Sequence, residues 1–118
     1  MKLLNQGQVE AMIMDIVEAL DEQTHVYAQV ADQAAEAEAD WKIRYARAVV
    51  SLANNESRMT AAERSARAEV NAANELRRYK TLDASKQSTK EHLLSLRARL
   101  DALRTLNASI RTATGGQH

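Results

Sequence analysis

No proline interrupts this chain, and of its three glycines only Gly7 lies ahead of the last four residues. A chain so poor in turn-forming residues cannot supply the many reversals that a β-sandwich or an α/β fold requires. Its 118 residues fit one domain. Twenty-two alanines sit among the 45% apolar residues, so the remaining large side chains suffice for a helical seam but not for a thick core. Cysteine is absent, which excludes disulfides and thiolate metal sites. No apolar run approaches the roughly 20 residues of a membrane span, and the start, Met1-Lys2-Leu3-Leu4, lacks the apolar region of a signal peptide. The expected location is therefore the cytoplasm.

Hydrophobic periodicity supplies the elements. From Gln8 to Ala53, apolar residues recur at helical spacing, and Ile13, Leu20, Tyr27, Ala34, Trp41 and Ala48 hold one heptad position. Asn54-Asn55-Glu56-Ser57-Arg58-Met59 breaks the pattern, because Asn and Ser side chains compete with helical hydrogen bonds. Thr60-Ala61-Ala62-Glu63 then reads as a capping box opening a second helix. That helix carries Val70, Leu76, Tyr79 and Leu82, a polar stretch over 83–92, and a zipper of Leu93, Leu96, Leu100 and Leu103. With no Gly or Pro in the polar stretch, a continuous helix is expected.

The expected architecture is all-α: one long antiparallel, coiled-coil-like helical hairpin over 1–118, with helix 8–53, turn 54–59, helix 60–112 and a flexible tail 113–118. Folded back, Leu20 faces Leu93, Ile16 faces Leu96, Ile13 faces Leu100 and Val9 faces Leu103. Trp41 is set against Ala72, Tyr45 against Ala68, Tyr79 against Ala34 and Leu76 against Ala37, large on small as close helix packing needs. The packing and self-association seam is therefore Ile13, Ile16, Leu20, Trp41, Tyr45, Leu93, Leu96, Leu100 and Leu103. Met12, Val17, Ala31 and Leu52 flank it on the first arm. Covering that flank calls for a homo-oligomer, a dimer or tetramer forming a helical bundle, or for another protein partner.

Net charge is zero but unevenly spread. Residues 1–41 carry Lys2 against nine acids, and residues 42–118 carry fifteen bases against seven acids. The simplest use of this split is pairing between the arms, with Asp15, Glu18, Asp21 and Glu22 alongside Lys90, Arg97 and Arg99. The other use is nucleic-acid binding through Lys86, Lys90, Arg97, Arg99, Arg104 and Arg111. These bases spread around the helix, and no aromatic residue interleaves with them to stack bases.

Catalytic patterns are thin. Glu22-Gln23-Thr24-His25 has the Glu-x-x-His spacing of di-iron bundles, but in a single copy. Asp15-x-x-Glu18 and Asp32-x-x-x-Glu36-x-Glu38 echo the acidic repeats of helical magnesium pyrophosphohydrolases only loosely. There is no Gly-x-Ser-x-Gly elbow and no phosphate loop. The expectation is no enzyme, no catalytic residue, no metal and no cofactor.

One stretch resembles a known group of proteins. Glu38-Ala39-Asp40-Trp41-Lys42, Ala46-Arg47-Ala48, Met59-Thr60-Ala61-Ala62-Glu63-Arg64, Tyr79-Lys80 and Leu93-x-x-Leu96-Arg97-x-x-Leu100-x-x-Leu103 follow one another in order. Over residues 36–110 this resembles the small helical-hairpin proteins of tailed bacteriophages and prophages, often encoded near recombination genes. The resemblance implies a non-enzymatic interaction or scaffold protein acting through helix faces in the host cytoplasm, accessory to phage recombination or replication. The alternative is an accessory protein that binds single-stranded DNA through the basic distal part of the second helix.

Overall fold

The computed structural model describes residues 4–55 and 58–115. They form an all-α helical hairpin of three helices in order: α1 (Gln6–Asn55), α2 (Ala61–Asn71) and α3 (Ala73–Gly115).

Side-chain caps set the helix starts. At α1, the Gln8 N–H donates to Asn5 Oδ1 at 2.8 Å and the Asn5 N–H donates to Gln8 Oε1 at 2.9 Å. Two N–H groups that no helical carbonyl can reach are thereby satisfied reciprocally. At α2, the Thr60 hydroxyl accepts from the Glu63 N–H at 3.1 Å, with Thr60 extended at φ −67° and ψ 160°. The Glu63 side chain makes no return bond among the described residues, so the expected box closes on one side only. Arg64 adds a bond from its guanidinium to the Met59 carbonyl at 2.7 Å, and Met59 is buried. Glu56 and Ser57 of the expected turn lie outside the described residues.

Two features depart from the sequence expectation. The second arm is not one helix: at Ala72 (φ −100°, ψ 8°) one residue leaves the helical conformation, although its N–H still donates to the Ala68 carbonyl at 3.0 Å. The ladder resumes at once, with the Leu76 N–H donating to the Ala72 carbonyl at 3.0 Å. No glycine or proline marks the spot. The second departure is at the C-terminus, where the expected tail continues α3 to Gly115; Thr112 and Thr114 hydroxyls donate back to the Ala108 and Ile110 carbonyls. Gly116–His118 of that tail lie outside the described residues. Through 83–92, α3 is unbroken.

The chain divides into two compact units, Met1–Tyr27 with Ser88–His118, and Ala28–Gln87. In the first, Ile16, Leu96 and Leu100 form a buried cluster, with Ile13, Ala19, Leu20 and Leu103 packed on it. Val9 and Leu93 are also buried. In the second, the buried apolar residues are almost all alanines: Ala34, Ala37, Ala48, Ala68 and Ala72. Small side chains let helices approach closely and leave the larger Trp41 and Tyr79 to fill the gaps.

On α3, the residues withdrawn from solvent repeat at three-four spacing: Glu75, Tyr79, Leu82 and Lys86 in the second unit, then Thr89, Leu93, Leu96, Leu100, Leu103, Asn107 and Ile110 in the first. Four seam positions are thus polar. Asn107 Oδ1 and Glu75 Oε2 are buried with no hydrogen-bond partner among the described residues.

Candidate functional site: helix faces beside the seam

The seam residues lie inside the chain. Ile16, Leu93, Leu96 and Leu100 are buried, and Ile13, Leu20, Trp41, Tyr45 and Leu103 are half-buried. Ile16, Leu96 and Leu100 pack on one another, with Ile13, Leu20 and Leu103 against them, within one hairpin. Val70, the first large apolar residue on the second arm, is 75% exposed.

The pairing of the arms in the second unit differs from the large-on-small expectation. The Trp41 ring stacks on Tyr79, centroids 5.7 Å apart and planes 9° from parallel. Trp41, Tyr45, Glu69 and Leu76 line one hollow. Periodicity places Trp41 and Tyr79 in the seam but does not say which facing residue each ring meets. Beside the stack, the Tyr79 hydroxyl and the Lys42 ammonium both bond the Glu38 carboxylate, Lys42 at 2.8 Å. The Lys42 hydrogen bond, then the Tyr79 bond and the Lys42 charge, hold the Glu38 carboxyl below its ordinary range, with Lys86 adding a smaller pull. The same contact with Glu38, helped by partial desolvation, raises the Tyr79 phenol. Asp40 and Arg78 meet at 3.5 Å across the helices.

The six bases singled out from sequence separate. Lys86 is half-buried at a seam position and pairs with Asp83 at 3.6 Å. Arg99 is exposed on another side of α3. The other four, Lys90, Arg97, Arg104 and Arg111, stand seven residues apart, so they form one edge of α3 instead of spreading around it. Arg111 pairs with Glu10 of α1 at 3.5 Å. The other three make no ion pair among the described residues. Asp15, Glu18, Asp21 and Glu22 are likewise exposed without an ionic partner, so the expected pairing of these acids with Lys90, Arg97 and Arg99 within the chain is not made. The reason is angular: Asp15, Glu18 and Glu22 lie on the side of α1 away from its seam.

The flank expected on the first arm is not one surface. Met12 and Val17 are five residues apart, which is about 140° around a helix, and they lie on opposite sides of the seam. Ala31 and Leu52 are half-buried. Val17 belongs with Glu10, Met14 and Asp21, at spacings of four, three and four. On α3, Lys90, Leu94, Arg97, Asp101, Arg104, Ala108 and Arg111 follow the same spacing. The Glu10–Arg111 pair places both stripes on one side of the first unit. Met14 and Leu94 are 60% and 54% exposed there, and Val17 40%. This doubled stripe was open to sequence reading: a second three-four pattern beside the first is its signal.

His25 of the Glu-x-x-His motif is exposed, and among the described residues no three His, Cys, Asp or Glu side chains are grouped to hold a metal ion. No described helix is long and apolar enough to cross a membrane. Compared with known proteins, the chain matches no family model, no curated protein and no solved structure.

Proposed function

We propose that this chain is a non-enzymatic interaction protein that works through its helix faces and self-associates as a dimer or tetramer. The observation that carries the reading is the set of large apolar side chains left in solvent beside the seam, Met14, Leu94 and Val17 among them. Large exposed side chains gathered beside charged ones mark association surfaces. The helix–capped turn–helix pattern from Glu38 to Leu103 supports a place among the hairpin proteins of phages and prophages, acting in the host cytoplasm beside recombination or replication components. The test is the solution mass by light scattering at low and high salt. A dimer or tetramer at both supports the reading. A monomer over the whole concentration range, with no protein partner retained, overturns it.

A second reading has one observation in its favour. Lys90, Arg97, Arg104 and Arg111 share an edge of α3, a stripe able to follow a phosphate backbone. A gel shift with single-stranded DNA at two salt concentrations decides it: retardation at low salt that fades at high salt supports it, and none at low salt removes it.

A further inference from the structure

The doubled stripe in the first unit has a polarity that selects its occupant. We infer that a second copy of this chain docks on it, with α1 of each copy lying against α3 of the other; this rests on the self-association proposed above. The α1 stripe carries Glu10 and Asp21 around exposed Met14 and Val17, with Glu18 next to it. The α3 stripe carries Lys90, Arg97, Arg104 and Arg111, with one acid, Asp101, around exposed Leu94. One side is acidic, the other basic, and both have an apolar centre. Laid α3 on α3, two copies would set four bases against four. Laid α1 on α3, each acidic stripe meets a basic one, twice over, and the contact closes at two copies because it is the same patch on both.

The bases of α3 recur every seven residues, about 10.5 Å at 1.5 Å per residue, while Glu10 and Asp21 bracket Met14 and Val17 on α1 at eleven residues apart, about 16.5 Å, so the acids sit at the two ends of the apolar centre. Among the described residues Asp21, Lys90, Arg97 and Arg104 make no ion pair, so docking can use these four without breaking the Glu10–Arg111 pair. A polyanion fits less well, since Glu10, Asp21 and three apolar side chains share the face with the bases.

The test uses complementary charge reversal in the full chain, read by sedimentation equilibrium at low salt, with helicity by circular dichroism as the folding control. One variant is Arg97→Glu with Arg104→Glu, and the other is Glu18→Arg with Asp21→Arg. Each alone is expected to weaken dimerisation by about tenfold or more, and an equal mixture to restore it, since both crossed contacts are then complementary again. Leu94→Ala, an exposed truncation that leaves the seam intact, should also weaken the dimer. If wild type and all variants dimerise equally, the copies meet elsewhere: the inference fails and self-association stands. If wild type is monomeric throughout, both fail. If it is monomeric and retards a single-stranded oligonucleotide through Arg97 and Arg104, the stripe is a nucleic-acid edge and the inference is overturned.

Discussion

Trp41 and Tyr79 stack face to face, 5.7 Å between centroids, and so join α1 to α3 among alanines. With small neighbours on either side, little else at that level can fill the space the rings vacate. Trp41→Ala should lower stability by about 2–4 kcal/mol, towards the low side of buried aromatic truncations because the ring is half-buried. A double-mutant cycle with Tyr79→Ala should return a coupling of about 0.5–1.5 kcal/mol. Urea unfolding followed by helicity measures both.

The Glu38 contact makes stability depend on pH at two ends. Its carboxyl is lowered in the folded chain, chiefly by the Lys42 hydrogen bond, so its contribution is present above the ordinary carboxylate range and is lost as pH falls through the lowered value. Tyr79 is raised, chiefly by its bond to Glu38, so its contribution is present below the ordinary phenol range, about 10, and is lost as pH rises through the raised value. Glu38→Gln should flatten the acid limb of the stability profile and let Tyr79 ionise at lower pH. Phenolate absorbance, with Tyr79→Phe as the reference, reads the second effect.

Asn107 occupies a seam position with a buried oxygen that no donor among the described residues meets. Leucine has nearly the same branching and no polar atom to desolvate. Asn107→Leu should therefore raise stability by about 1–3 kcal/mol, read as an upward shift of the urea midpoint. A fall in midpoint would mean that the amide has a partner in solution.

At the helix starts, Thr60→Ala removes the acceptor that satisfies the Glu63 N–H and should cost about 1 kcal/mol. Glu63→Ala should cost less, since its carboxylate closes no bond to the cap. Asn5→Ala should fray the beginning of α1, visible as faster amide exchange at Gln8 and Val9.

The hairpin was legible because several local signals agree: no proline, a heptad from Ile13 to Ala48, a double asparagine, then a capping threonine. The cap at Asn5 was equally legible, as an Asn followed three residues on by Gln, and the start expected at Gln8 passed over it. The pairing of Trp41 was not legible. Periodicity puts both rings in the seam without saying what each one meets, and that choice falls to ring stacking, a property of the packed state. The charge split was visible as a count, but its use depends on angle. Acids on the outer side of α1 cannot reach α3 of their own chain, whatever the totals of the two halves. The polar seam positions Glu75, Lys86, Thr89 and Asn107 escaped because patterning looks for apolar residues, and spacing alone put these four in line.

The leucine-rich unit is assembled from Met1–Tyr27 and Ser88–His118, and everything between those segments belongs to the other unit. Ile16 and Leu96 thus meet only after the 79 residues between them have been drawn into a loop, an entropic charge that grows slowly with loop length. Formation of the alanine-rich unit beforehand shortens that loop and raises the effective concentration of one segment around the other. A single proteolytic cut between Asn55 and Thr60 would leave every helix intact and change the molecularity of folding. The two fragments would have to find each other by diffusion, and the melting temperature would begin to depend on how much protein is in the tube.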